Sequence, residues 1–122
     1  MKKILIAEDD KFLANAYRVK LSKSGFDVMI AQDGEEAIKS LSEFTPDLII
    51  LDLMMPKVDG FSVLRELKSS DKWKGIPVLV ASNLGQSEDI VKATKLGAAD
   101  YIVKTDLSMK KLIEKIIQII GV

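Results

Sequence analysis

The 122-residue chain predicts an α/β fold: a doubly wound, five-stranded parallel sheet in the order 2-1-3-4-5, with five helices on both faces. Three observations carry that expectation. Apolar runs of strand length alternate five times with segments of helical period. The runs are continuously apolar rather than alternating, as strands covered on both faces should be. Four of the runs also stop at a chemically capable side chain. Ile4-Leu5-Ile6-Ala7 leads into Glu8-Asp9-Asp10, Leu48-Ile49-Ile50-Leu51 into Asp52, Val78-Leu79-Val80-Ala81 into Ser82, and Tyr101-Ile102-Val103 into Lys104. Carboxyl ends of neighbouring parallel strands share one sheet edge, where open α/β sheets bind ligands.

The first strand is Ile4 to Ala7, and a helix is predicted over residues 11–24, with Phe12, Ala16, Val19, Tyr17 and Leu21 on one broad face. Gly25 follows it as a C′ residue. Residues 26–31 form the second strand. Asp33 and Glu36 have capping-box spacing and open a second helix, predicted to reach Phe44. Pro46 separates that helix from the third strand, which ends at Asp52. A loop over residues 53–59 leads to a helix from Gly60 to Ser69. Pro77 takes the first position of the fourth strand, where its missing N–H is tolerated. Ser87 is the predicted cap of a helix reaching Leu96, stopped by Gly97. The fifth strand follows, and Ser108 caps a last helix that Gly121 ends. This order of units is flavodoxin-like, and residues 1–122 read as one domain with no effector domain.

Composition narrows the chemistry. Lys+Arg and Asp+Glu both total 18, so no net field favours nucleic acid or an anionic membrane. Arg18 and Arg65 are the only arginines, which argues further against a base-reading surface. Cysteine and histidine are absent, excluding disulfides, thiolate nucleophiles, Ser-His-Asp catalysis and His- or Cys-bound metals. Carboxylates remain as the strong metal ligands, pointing to Mg²⁺, Mn²⁺ or Ca²⁺. The apolar stretch before the first acids is too short for a signal peptide or membrane span, so a soluble, cytoplasmic protein is expected.

The stretches I-L-I-A-E-D-D, D-L-I-I-L-D-L-M-M-P-K-V-D-G, P-V-L-V-A-S and G-A-A-D-Y-I-V-K, in that order, resemble the receiver domains of bacterial response regulators. That resemblance implies a phosphoacceptor of two-component signalling that is no enzyme beyond its own phosphotransfer and self-dephosphorylation. It implies Asp52 as the phosphorylated residue and a Mg²⁺ site, with Mn²⁺ as the alternative. Asp9 would ligate the metal directly, Glu8 mainly through a bound water, alongside Asp52 and the backbone carbonyl of Met54. Lys104 would contact the phosphoryl group, Ser82 would be the switch hydroxyl, and Tyr101 the switch aromatic. The implied partners are a sensor histidine kinase or phosphotransfer protein and a downstream protein target. A homodimer through the fourth helix, fifth strand and fifth helix is a further option, with no direct nucleic-acid or membrane binding.

Physical reasons stand beside the resemblance. A carboxylate attacks a phosphoryl group only when the negative charges of both are offset, which a divalent cation and Lys104 can do together. Asp10, furthest from the strand end, reads as a helix N-terminal acid. Leu112, Ile113, Ile116, Ile117, Ile119 and Ile120 exceed one helical face, so the surplus isoleucines either form an exposed dimer or partner patch or fold against Met1 or a neighbouring loop.

Two positions depart from the resemblance. Thr105 stands where relatives have a cis proline, and a non-proline cis bond costs about 3 kcal/mol, so a trans Lys104–Thr105 bond and a rearranged loop over residues 105–107 are predicted. Asn83 stands where a small residue is usual. Met54 and Leu84 are apolar where a hydrolytic water would approach, which predicts slow self-dephosphorylation. Two alternatives are a degenerate receiver acting as a phosphorylation-independent scaffold and an aspartate-nucleophile phosphatase. The latter needs an acid two residues after the nucleophile, where Met54 stands.

Overall fold

Period-two packing along each strand sends alternate side chains to opposite sheet faces, and this divides the core in two. In the computed structural model, which describes residues 1–106 and 108–121, the elements are β1 (Lys3–Ala7), α1 (Lys11–Lys23), β2 (Asp27–Ala31), α2 (Gly34–Ser40) and β3 (Leu48–Leu51). They continue with α3 (Gly60–Ser69), β4 (Val78–Ser82), α4 (Ser87–Lys95), β5 (Asp100–Val103) and α5 (Met109–Ile120). The sheet is parallel throughout, in the order β2-β1-β3-β4-β5, as the sequence predicts. Leu5, Ala7, Ile49, Leu51, Val78 and Val80 face α2, α3 and α4. Ile4, Ile6, Leu48, Ile50, Leu79 and Ala81 face α1 and α5, where they meet Tyr17, Leu21, Leu112 and Ile116.

Register aligns the strand ends. Ala7 is level with both Ala31 and Leu51, Leu51 with Val80, and Ser82 with Val103. The ladder continues one step past β1 and β3, where Glu8 N–H donates to the Ala31 carbonyl (2.9 Å) and Asp52 N–H to that of Ala7 (3.1 Å). Glu8 and Asp52 therefore leave the sheet side by side.

Several local expectations are corrected. On α1 the buried stripe is Ala14, Tyr17 and Leu21, whereas Phe12 is 91% exposed and Ala16 and Val19 also face solvent. The apolar residues of α1 define two possible faces, and the one continuous with Phe26 below packs on the sheet. Helix α2 stops at Ser40 rather than Phe44. There Ser40 Oγ donates to the Glu36 carbonyl (2.7 Å) and Ser42 Oγ to that of Lys39 (2.9 Å), hydroxyls competing for helical acceptors before Pro46. Strand β4 begins at Val78, one residue after Pro77, although the Pro77 carbonyl still accepts from Ile49 N–H. The N-cap of α4 is Gln86, with no side-chain capping bond, so Ser87 lies inside the helix. Of the two arrangements open for the surplus isoleucines of α5, packing prevails over a broad exposed patch. Ile113, Ile119 and Ile120 pack partly against the core, and only Ile117, at 39%, is substantially exposed.

Other local expectations hold. Asp33 and Ser108 cap their helices, accepting from Glu36 N–H (2.8 Å) and Lys111 N–H (3.1 Å). Gly25 follows the α1 cap with φ +93°, a conformation that suits glycine. No described peptide bond is cis, so Lys104–Thr105 is trans, and Lys104–Asp106 form a 3-10 turn. Leu107, the last residue of the loop expected to rearrange, lies outside the described residues, as does Val122.

Candidate functional site

The β1 end supplies the acids. Asp10 is the N-cap of α1, its Oδ1 accepting from the N–H groups of Phe12 (3.0 Å) and Leu13 (3.2 Å), the role its distance from the strand suggests. That turn also aims Glu8, whose Oε2 accepts from Asp10 N–H (3.1 Å). Asp9 lies between them and is exposed. From β3, Asp52 Oδ1 accepts from Met54 N–H (3.0 Å). Glu8 and Asp52 are 2% and 4% exposed. Each of Glu8, Asp9 and Asp52 offers a carboxylate oxygen, and these oxygens lie within 4.8 Å of one another.

Lys104 closes this cluster from the end of β5. Its Nζ lies 2.6 Å from Glu8 Oε1 and 2.9 Å from Asp52 Oδ2. Two buried carboxylates thus share one ammonium, and the arrangement carries an excess negative charge. Burial pushes the Glu8 carboxyl up to about 7, and the nearby Asp52 charge adds to this against the pull of Lys104 and the Asp10 N–H. Burial opposes the Lys104 ammonium, but its bonds to Glu8 and Asp52 outweigh that and hold its pKa above the ordinary value. Crowded hard oxygens with unmet charge are the donor set Mg²⁺ or Mn²⁺ takes, and the sequence has no cysteine or histidine to compete for the ion.

The other half of the edge is neutral. Ser82 is fully buried, and its Oγ accepts from Leu84 N–H (3.3 Å). Tyr101 is half-buried and its hydroxyl donates to the Leu84 carbonyl, so the ring lies over the loop leading to α4. Burial first, then the charge of Asp89, raises the Tyr101 pKa against a contact with Ser82, keeping the hydroxyl a donor. At the start of β5, Asp100 Oδ2 pairs with Lys115 Nζ (2.7 Å), tying the strand to α5. Asn83 and Met54 are exposed, and Leu84 is half-buried.

Residues 4–117 match the response regulator receiver domain. The chain belongs to the response regulator receiver family. This receiver is 40% identical over 104 residues to the DNA-binding dual master transcriptional regulator RpaA of Synechocystis, covering 85% of this chain and 43% of that protein. It spans about two-fifths of the length of the curated relatives it matches. Among solved structures it is similar to the receiver domain of the Francisella response regulator 1452, with a TM-score of 0.90 and 33% identity over 98% of this chain and 96% of that one. It is also similar to the Mn²⁺-bound form of response regulator Rcp1, with a TM-score of 0.86 and 29% identity over 97% and 93% of the two chains. The receiver is therefore a signalling domain of two-component systems, and among its described residues no helix is long and apolar enough to cross a membrane.

Sequence reasoning missed three features near this edge. Lys57, in the loop after Asp52, has a left-handed φ of 67° and pairs with Asp33 at 3.6 Å. Lys92 of α4 lies 4.2 Å from the centre of the Phe61 ring of α3, a cation–π contact that no motif announces. Tyr17 is fully buried on the α1 side, and its hydroxyl has no hydrogen-bond partner among the described residues. The signal for Tyr17 was a polar tip inside an apolar stripe, two turns beyond the acids.

Proposed function

We propose that the chain accepts a phosphoryl group on Asp52 from the phosphohistidine of a sensor histidine kinase or phosphotransfer protein. The observation that carries this is the buried Glu8–Lys104–Asp52 arrangement with an Asp9 oxygen close by. An Asp52 carboxylate oxygen attacks phosphorus, the P–N bond to the donor imidazole breaks with its electron pair returning to nitrogen, and the imidazole, already protonated on its other ring nitrogen, leaves neutral. Glu8, Asp9, Asp52 and the Met54 backbone carbonyl would hold Mg²⁺ or Mn²⁺, which supplies charge neutralisation and in-line orientation of the phosphoryl oxygens. The Mn²⁺ bound to Rcp1 supports that choice of ion.

Lys104 is already placed on Asp52 and turns to the new phosphoryl oxygens, and the Ser82 hydroxyl donates to another. The acyl phosphate adds about two negative charges where one carboxylate stood. Drawing Ser82 towards them pulls on the Leu84 N–H it accepts from, and Tyr101, bonded to the Leu84 carbonyl, follows. The change reaches the α4–β5–α5 surface, which binds a downstream protein or a second copy of the chain. Relatives such as RpaA are named as transcriptional regulators, and this chain corresponds to 43% of that protein. We place its action in the cytoplasm, where kinases of this kind present their phosphohistidine.

Incubation with acetyl phosphate and Mg²⁺, followed by intact mass, tests the reading. One added phosphoryl group in wild type and none in Asp52→Asn is the expected result. An unchanged wild-type mass leaves the scaffold alternative standing instead.

A further inference from the structure

The core between the sheet and α1/α5 is apolar with one exception. Tyr17 sits there among Ile6, Ile50, Leu21, Leu112 and Ile116, completely shielded from solvent. Its hydroxyl has no hydrogen-bond partner among the described residues. A buried hydroxyl without a partner is costly, and a phenylalanine ring would fill the space without that cost.

Period two along β1 and β3 puts Glu8 and Asp52 on the same sheet face as Ile6 and Ile50, the face on which Tyr17 packs. Side chains on an α-helix lean towards its N-terminus, and α1 begins directly after Glu8, Asp9 and Asp10. Besides burial, the charge felt most strongly at the hydroxyl is that of Glu8, followed by Asp52 and then Asp10, and all of these keep it protonated. Tyr17 thus brings a neutral O–H donor to the core side of the acidic cluster. On Glu8, Oε1 is bonded to Lys104 and Oε2 to the Asp10 N–H, and each carboxylate oxygen has a further lone pair to offer.

We propose that Tyr17 is a positioning residue of the phosphorylation site, its hydroxyl holding the Glu8 carboxylate from below through one buried water, in the orientation that Glu8, Asp9 and Asp52 need to grip a divalent cation. The inference rests on the reading of the site given under Proposed function. Lys104 must turn to the phosphoryl oxygens during transfer, and Tyr17 is then the side-chain donor that stays with Glu8.

The test uses the full chain, labelled with ¹³C at tyrosine Cζ and titrated with Mg²⁺ alone. Tyr17→Phe and Tyr101→Phe assign the two tyrosine signals. The Tyr17 signal is expected to move with Mg²⁺ and to saturate with the affinity measured by calorimetry. Tyr17→Phe is expected to weaken Mg²⁺ binding about fivefold, the worth of one ordinary hydrogen bond. A Tyr17 signal indifferent to Mg²⁺, or a folded Tyr17→Phe chain that binds Mg²⁺ as tightly as wild type, overturns the proposal. Should Tyr17→Phe not fold, the wild-type signal, assigned by difference from Tyr101→Phe, decides alone. A wild-type chain that binds no Mg²⁺ at all overturns the reading of the site itself, and this inference with it.

Discussion

The two halves of the sheet edge are built differently. On the β1–β3 side, charges are buried at hydrogen-bond distance, and backbone packs on backbone: a Cβ at Gly60 would lie 2.3 Å from the Asp52 carbonyl oxygen and 2.4 Å from Leu53 Cα. On the β4–β5 side the loop into α4 is lightly held. The α4 helix buries only Ala93 and has no side-chain cap, and a Cβ at Gly85 would meet the Val103 side chain at 3.2 Å, a contact that can give. Under the proposed function, the first half is fixed enough to position the phosphoryl transfer and the second loose enough to report it. A rigid reporting half would have nothing to rearrange, and a loose acidic half would not hold its charges together.

The strongest test of this contrast is a matched pair of alanines. Gly60→Ala should lower stability by about 3 kcal/mol or more in urea denaturation, because only backbone can move aside, whereas Gly85→Ala should cost about 1 kcal/mol or less. Equal costs would remove the distinction between the halves.

A change of pH should act on the acidic half alone. Glu8 binds its proton more tightly folded, at about 7, than its ordinary 4.5, so the folded chain holds more protons between those values and the contribution is greatest below 4.5. Metal-free stability should therefore fall by up to about 3 kcal/mol as pH rises through that window, a trend Glu8→Gln should flatten. Mg²⁺ affinity, read by calorimetry, should move the other way, strengthening about tenfold from pH 6 to pH 8 as Glu8 ionises around its folded value of about 7.

On the reporting half, Tyr101→Phe removes the hydroxyl's bond to the Leu84 carbonyl, worth about 1 kcal/mol. Hydrogen exchange of the amides from Leu84 to Ile90 should quicken about fivefold, while those around Asp52 stay protected. The smallest effect is expected from Met54→Asn combined with Leu84→Glu. Polar groups there can orient a water towards the acyl phosphate, so loss of the phosphoryl group should accelerate a few-fold in a decay assay.

How much of this could be read from the chain follows the same division. Strands covered on both faces reveal themselves by continuous apolar runs, and a run that stops at Asp52 or Glu8 gives away the edge as well. Lys104 was legible for the same reason. Helices are harder, because an amphipathic segment with more than one apolar stripe does not say which stripe faces inward. The apolar spacing groups Phe12, Ala16 and Val19 with Tyr17 and Leu21 on one broad face, and the chain instead buries Ala14 beside Tyr17 and Leu21. The early end of α2 depends on serine hydroxyls competing for carbonyls, and the cap of α4 on a loop conformation that Gln86 adopts without a side-chain bond. Tyr17 is the plainest case. Its place in the apolar stripe was evident, but an unsatisfied hydroxyl is a property of neighbours brought together by the fold.

The bridging of Glu8 and Asp52 by Lys104 has a consequence for exchange. The ammonium serves as a built-in counterion, and an incoming divalent ion has to compete with it for both carboxylates. If the proposed site takes Mg²⁺, that internal rivalry should weaken its capture, so occupancy should track the free magnesium around the protein. The ammonium also offsets the repulsion that would otherwise push the two buried carboxylates apart.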